Sequence, residues 1–202
     1  MRVIVTGGAG FIGSAVCRDL IRRGGFDVLN IDKLTYAGNL ESLKDVAEAH
    51  ADRYQFVQGD IGNYQLARYV FEQERPHYVV NFAAESHNSR AVLHPEHFYQ
   101  TNVLGTQQLL QAARDAGVPR FHHISTCEVY GDLPLDTDEV FSEQSPYRPR
   151  TPYNASKAAA DMAVRAYHET FGLPVTISNC ANNYGPYQYP EKLIPLMTLN
   201  AL

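Results

Sequence analysis

The chain has no tryptophan, only three cysteines, and no apolar run that approaches a membrane span in length. It also lacks a basic excess: 17 lysines and arginines stand against 22 aspartates and glutamates, a formal net charge of −5. A mildly acidic chain with no basic cluster has no electrostatic footprint for nucleic acid, so neither nucleic acid nor membrane is an expected partner. Cys17, Cys127 and Cys180 cannot all pair and have no metal-ligand spacing. No metal is expected, and the setting implied is reducing and cytoplasmic. A strand signal begins at Val3, too early to leave room for a secretory leader. What is present is ordinary for a globular protein: 45% apolar and 19% charged residues over 202 positions, enough for one domain with a proper core.

Arg2 to Thr6 is a β-branched apolar run that reads as a buried strand. It leads into Gly7-Gly8-Ala9-Gly10-Phe11-Ile12-Gly13 and then a helical pattern that stops at Gly24-Gly25. Glycines at 7, 10 and 13 permit a tight turn, close approach of backbone to a diphosphate, and close packing of helix on strand. The phosphates would lie at the helix N-terminus. A glycine triplet alone could be a flexible loop; the strand before it and the helix after it are the context that points to a dinucleotide. The next strand, Asp27 to Ile31, ends at Asp32, about twenty residues past the loop. A carboxylate there accepts hydrogen bonds from an adenosine ribose and repels a 2′-phosphate, which favours NAD over NADP. Lys33 weakens that repulsion, and Asp32 can equally serve as a turn residue.

Alternation then continues. Helical patterns over Leu40 to Ala49, Asn63 to Gln73, Phe98 to Ala116 and Thr151 to Phe171 separate strand patterns over Tyr54 to Val57, His77 to Phe82, Arg120 to Ile124 and Val175 to Asn179. Such alternation predicts an α/β fold, a doubly wound parallel sheet with ligands at the strand C-terminal ends. Gly7, Asp32, Asp60, Ala83, Ser125 and Asn182 all fall at or just beyond those ends. Tyr153 and Lys157 stand four apart on one helix face. The strand before them runs out at Ser125-Thr126-Cys127-Glu128, so a hydroxyl, a thiol and a carboxylate meet a phenol and an ammonium. Helix 151–171 is rich in alanine around most of its circumference. A partner helix from a second subunit and simple tolerance of alanine both account for that. Gly131 to Arg150, with three prolines and five acidic residues, is expected to be irregular and functional.

With TGGAGFIG at 6–13, DKLTYAGN at 32–39, AAESH at 83–87, STCEVYG at 125–131, Tyr153-x-x-x-Lys157 and NCANNYGPYQYPEKLIP at 179–195, the chain resembles the extended short-chain dehydrogenases/reductases. Within these it resembles the dTDP-glucose 4,6-dehydratases, over essentially its whole length. The resemblance implies NAD as cofactor, a nucleotide-sugar substrate such as dTDP-glucose, and a hydro-lyase reaction. A C4 hydroxyl is oxidised, water is eliminated across C5 and C6, and hydride returns to C6, giving a 4-keto-6-deoxy sugar. It further implies that Tyr153 takes the C4 hydroxyl proton, that Lys157 lowers the phenol's pKa and binds the nicotinamide ribose, that Thr126 holds the C4 oxygen, and that Glu128 removes the C5 proton. The implied NAD contacts are Gly7, Gly10, Phe11, Ile12, Gly13, Asp32, Lys33, Leu34, Thr35, Asp60, Ile61, Ala83, Ala84, Glu85, Ser86, Thr101, Tyr153, Lys157 and Asn183. The implied substrate contacts are Ser86, Thr126, Asn182, Lys192 and Leu193. A homodimer through the helices near 98–116 and 151–171 is also implied.

The chain departs from that family at Cys127, where the family has the Asp that protonates the departing C6 hydroxyl. Three readings are open: a thiol working as substitute acid, a low-pKa thiol reactive towards an unsaturated intermediate, or a small buried residue with the acid supplied elsewhere. Asn88 and Ser89 stand where Val and Asp are usual, and Asn154 replaces a common Ser. Residues 1–202 are expected to be the NAD-binding Rossmann domain, truncated before a small substrate domain. Two alternatives to dehydration are a C4 epimerase of the same fold, which needs Tyr153 and Lys157 but not Glu128, and an NAD-binding fragment without turnover.

Overall fold

The computed structural model describes residues 1–202. Six strands, β1 (Arg2–Thr6), β2 (Asp27–Asp32), β3 (Tyr54–Gln58), β4 (Tyr78–Asn81), β5 (Phe121–Thr126) and β6 (Val175–Cys180), form one parallel sheet in the order β3-β2-β1-β4-β5-β6. This is a Rossmann-type, doubly wound sheet. The helices are α1 (Phe11–Arg23), α2 (Lys44–Ala49), α3 (Tyr64–Glu74), α4 (Asn88–Leu93), α5 (Pro95–Phe98), α6 (Thr106–Asp115), α7 (Pro152–Phe171) and α8 (Leu193–Ala201).

Both sheet faces are covered, which is why the strands read as unbroken apolar runs rather than alternating ones. In β1, Val3 and Val5 face the core shared with Cys17 and Ile21 of α1 and Val46 of α2, whereas Ile4 faces the larger core with Phe71 of α3, Leu109 and Leu110 of α6 and Val164 of α7. Each large side chain buried in this way contributes about 1.5–3 kcal/mol. Helix ends follow local chemistry. The Asn63 side chain accepts from the Leu66 N–H at the start of α3, and Thr151 Oγ1 accepts from the Asn154 N–H at the start of α7. Gly172 closes α7 with φ +69°, a left-handed conformation that suits glycine.

Residues 98–116 do not form the single helix the pattern predicts. The wide π-helical turn Tyr99–Gly105 joins α5 to α6, and it places Asn102 inward. The predicted helix 40–49 is likewise split, into a 3₁₀ turn Leu40–Leu43 and α2. Strand order reverses between β1 and β4, and the crevice beyond their C-terminal ends is where such sheets hold ligands.

Candidate active site

The cavity at that crevice encloses about 620 Å³ and is lined by three groups of residues that are far apart in the chain. The glycine loop forms one wall. Gly7 takes φ +70°, its N–H donates to the Ile31 carbonyl at 2.8 Å, and a Cβ there would lie 2.6 Å from the Ala83 nitrogen. The turn therefore brings β1 against the loop after β4 at a distance only glycine allows. Helix α1 begins at Phe11 with Gly10 as an N-cap that offers no side-chain acceptor and with no acidic residue in its first turn. Its first amides are left for a ligand, and a diphosphate is the group such an end accepts.

Asp32 braces this wall. Its Oδ2 accepts the Ala9 N–H at 2.9 Å and its Oδ1 accepts the Leu34 N–H at 2.8 Å. Each carboxylate oxygen has capacity for a second donor, so the turn role is compatible with a ribose role. Lys33 turns away from Asp32, its Nζ 3.2 Å from Thr101 Oγ1 and 3.5 Å from Asp60.

The proton-handling groups form the second wall. Thr126 caps the 3₁₀ turn Cys127–Tyr130 by accepting the Glu128 N–H at 3.2 Å, and Glu128 Oε2 accepts from Asn88 Nδ2 at 3.2 Å. Tyr153 and Lys157 rise from α7 on the same cavity. Lys157 Nζ donates to the Ile124 carbonyl at 2.7 Å and lies 3.3 Å from His123 Nε2. Behind it, Asp161 accepts from Ser125 Oγ at 2.7 Å and from the Tyr147 hydroxyl at 2.9 Å. Burial pulls the Lys157 ammonium from 10.5 down to about 8, partly offset by the Asp161 charge, and burial pushes the Asp161 carboxyl up.

The third wall is the segment after β6. Asn182, Asn183, Lys192 and Leu193 line the cavity, and Lys192 Nζ donates to the Ser86 carbonyl at 2.9 Å. Glu191 fastens the segment across the opening: its Oε1 accepts from the Tyr36 hydroxyl at 3.2 Å, and its Oε2 lies 3.5 Å from Arg90 and 3.6 Å from His87.

A family model described as GDP-mannose 4,6 dehydratase matches residues 4–202. The chain belongs to that family. Within it, the chain is 55% identical to a dTDP-glucose 4,6-dehydratase of Neisseria meningitidis, over all of this chain and 58% of that relative. Among solved structures it is similar to the Streptomyces venezuelae dTDP-glucose 4,6-dehydratase DesIV, crystallised with NAD, with a TM-score of 0.93 and 48% identity over all of this chain and 62% of that one. A UDP-glucose 4-epimerase of Thermus thermophilus in complex with NAD is more distant, with a TM-score of 0.87 and 34% identity over all of this chain and 61% of that one. The chain thus spans about three-fifths of the length of the relatives it matches.

This family member brings most of the sequence-predicted residues to one cavity, with three exceptions. Leu34 is not a lining residue; it takes φ +56° and spends its amide on Asp32. Asp60 belongs to an adjoining cavity of about 450 Å³, where it faces Lys33. Cys127 also stays out of the cavity wall and packs instead with Val129, Tyr130 and Ala158, because the 3₁₀ turn carries residues 126 and 128 inward and 127 to the side. Burial, and then the Glu128 charge, raise its thiol pKa. That overturns the low-pKa reactive thiol, which needs a neighbouring positive charge.

The expected depression of the Tyr153 pKa is not found either. Burial, and after it the Glu128 charge, push the phenol up; only the Thr126 hydroxyl is placed to oppose them. Lys157 is not among the groups that act on the phenol, because its ammonium is turned to Ile124 and His123. Sequence reasoning also missed Asn102. Its side chain accepts the Glu85 N–H at 2.9 Å and donates to the Glu85 carbonyl at 3.0 Å and to Ser156 Oγ at 2.9 Å, locking the 83–86 loop to α7 beside Lys157. Asn88, Tyr189 and Glu191 were missed as well; their signal lies in long-range contacts that no local pattern encodes.

The Lys157 shift has a measurable consequence. Unfolding restores ordinary basicity, so between about 8 and 10.5 the unfolded chain binds more protons at this site than the folded one, and stability rises with pH there. Below that window the folded state carries the full cost of the buried charge, about 3 kcal/mol. Relative to Lys157→Met, the wild-type chain should therefore gain stability as pH rises from about 8 towards 10.5 in denaturant titrations. A difference that stays flat across the window refutes this.

Proposed function

We propose that this chain holds NAD and that the full-length protein is a nucleotide-sugar 4,6-dehydratase acting on dTDP-glucose or a close relative. The observation that carries the proposal is Glu128 on the wall that also bears Tyr153 and Lys157, since removal of a C5 proton requires a base that C4 epimerisation does not. The fit for NAD rests on the uncapped α1 N-terminus, the glycine-only approach of Gly7 to Ala83, and Asp32 at the end of β2. When bound, NAD supplies the hydride acceptor at C4 and the hydride donor at C6.

The residues divide the remaining work. Thr126 Oγ1 orients the C4 oxygen, and Tyr153 takes its proton. Burial pushes the phenol further above its ordinary value in the free chain, so positive charge joining it in the cavity would make it a better base. Lys157 remains largely charged at neutral pH and binds the adjacent ribose. Oxidation at C4 acidifies the C5 hydrogen, and Glu128 removes it. Glu128 passes that proton to the departing C6 hydroxyl, which leaves as water, so Cys127 need not act as the acid; C5 then takes a solvent-derived proton as hydride returns to C6. Asn182, Lys192 and Leu193 line the third wall, where they would contact the nucleotide-sugar. Exposed Tyr99, Leu104 and Met162 on the 98–116 and α7 surfaces support a homodimer, which a monomeric mass in solution would remove.

Full-length protein supplied with NAD should convert dTDP-glucose to a product lighter by one water. An unchanged mass with an altered sugar would replace this reading with a C4 epimerase. Alongside, Cys127→Ser should change turnover by less than about threefold, against the 10²–10⁴ that a general acid supplies. A loss in that larger range would return the acid role to the thiol.

A further inference from the structure

We propose that Asn88 is a positioning residue for Glu128, holding the carboxylate at a fixed height against the helix that bears Tyr153 and Lys157. This rests on the dehydratase reading above. Three observations carry it. Asn88 Nδ2 donates to Glu128 Oε2 at 3.2 Å. On its other side, Asn88 Oδ1 accepts from Thr151 Oγ1 at 2.9 Å, and Thr151 is the N-cap of α7, its hydroxyl oxygen accepting the Asn154 N–H at 3.1 Å. Finally, Asn88 lines the same cavity as Glu128 and Tyr153.

One amide thus joins the 3₁₀ turn after β5 to the first turn of α7, two residues before the phenol. Both ends are matched in polarity: the hydroxyl donates to the amide oxygen, and the amide N–H₂ donates to a carboxylate. A side chain without polar atoms can make neither bond. Glu128 is the one carboxylate on that turn, so its placement bears directly on the rate at which C5 is deprotonated. Glu128 Oε2 is held by Asn88, while Oε1 has no hydrogen-bond partner within the chain and is available for the proton.

Two variants separate the bonds. Asn88→Val removes both, whereas Asn88→Asp keeps an acceptor for Thr151 but replaces the donor to Glu128 with a second negative charge. In the full-length protein, each should lower kcat for dTDP-glucose by about five- to thirtyfold, as expected for a partly exposed hydrogen bond to a charged group, with KM changed by less than about twofold. Solvent-deuterium incorporation at C5 should slow by the same factor, a readout that loosened packing elsewhere would not select. In a Glu128→Gln background, Asn88→Val should add nothing, because the two act through one group.

Wild-type kinetics in Asn88→Val, or an additive loss in the double variant, would overturn the proposal while leaving the dehydratase reading intact. A loss in Asn88→Val that Asn88→Asp does not share would also overturn it, because the Thr151 tie alone would then account for the effect. Wild-type protein that binds NAD yet releases no dehydrated product would instead remove the dehydratase reading, and this proposal with it.

Discussion

Glu128→Gln is expected to lower turnover of dTDP-glucose by about 10²–10⁴-fold while leaving NAD affinity unchanged within about twofold. The change is nearly isosteric. The new amide can still accept from Asn88 Nδ2, which now reaches the carboxylate at 3.2 Å, and the backbone N–H of residue 128 still donates to Thr126 Oγ1. What is lost is the ability to take a proton. The Glu128 charge is also one of the influences holding the Tyr153 phenol up, so its removal makes Tyr153 easier to ionise and C4 oxidation is not impaired. The loss therefore falls on elimination alone. Steady-state product formation and C5 hydrogen exchange measure this directly. A variant with unchanged turnover would place the chemistry with C4 epimerisation, in which the carboxylate has no part.

Gly13→Ala should cost the fold about 3 kcal/mol, the upper end of what one methyl forced into packed surroundings costs, and abolish NAD binding. A methyl group at residue 13 would lie 2.9 Å from both the Gly7 carbonyl carbon and the Gly8 Cα, and closer still to the Gly7 oxygen. All three atoms are backbone, so no side-chain rotation relieves the clash and α1 must move away from the turn. The diphosphate platform moves with it, because that platform is the first turn of α1. Gly10→Ala is the control: its methyl would meet only the Gly7 oxygen at 3.3 Å, a contact that a shift of a few tenths of an ångström accommodates. Its denaturant midpoint should stay close to wild type. Equal destabilisation by both substitutions would refute the packing argument, and calorimetric titration with NAD reads the binding half of it.

The difference between these glycines was not legible in their spacing, although the triplet itself was. Sequence patterns exposed what depends on short-range chemistry. Val3, Ile4 and Val5 read as a strand because both sheet faces bury them, and the helical patterns begin at Asn63 and Thr151, whose side-chain oxygens meet amides three residues on. Strand limits fell within a residue or two of those observed. Patterns failed where tertiary contacts reshape a helix. The run 98–116 has helical periodicity throughout, yet a π turn widens it so that Asn102 can clamp Glu85 and Ser156. Cys127 failed for a related reason. It follows a strand residue that faces the cavity, and only the 3₁₀ turn decides that the next side chain points elsewhere. The short helices α4 and α5 were likewise hidden, and α4 carries Asn88.

Strand order also sets a timetable. β1 lies in the middle of the sheet, hydrogen-bonded to β2 about twenty-five positions later and to β4 about seventy-five positions later, as the pairings of Val3 with Val28 and with Tyr78 record. During synthesis, the first three strands can therefore assemble while one flank of β1 still presents unpaired amides and carbonyls to whatever strand is near. The wall proposed to grip a diphosphate and the wall proposed to move protons are born on opposite sides of that open flank, and they meet only when Tyr78–Asn81 has closed it.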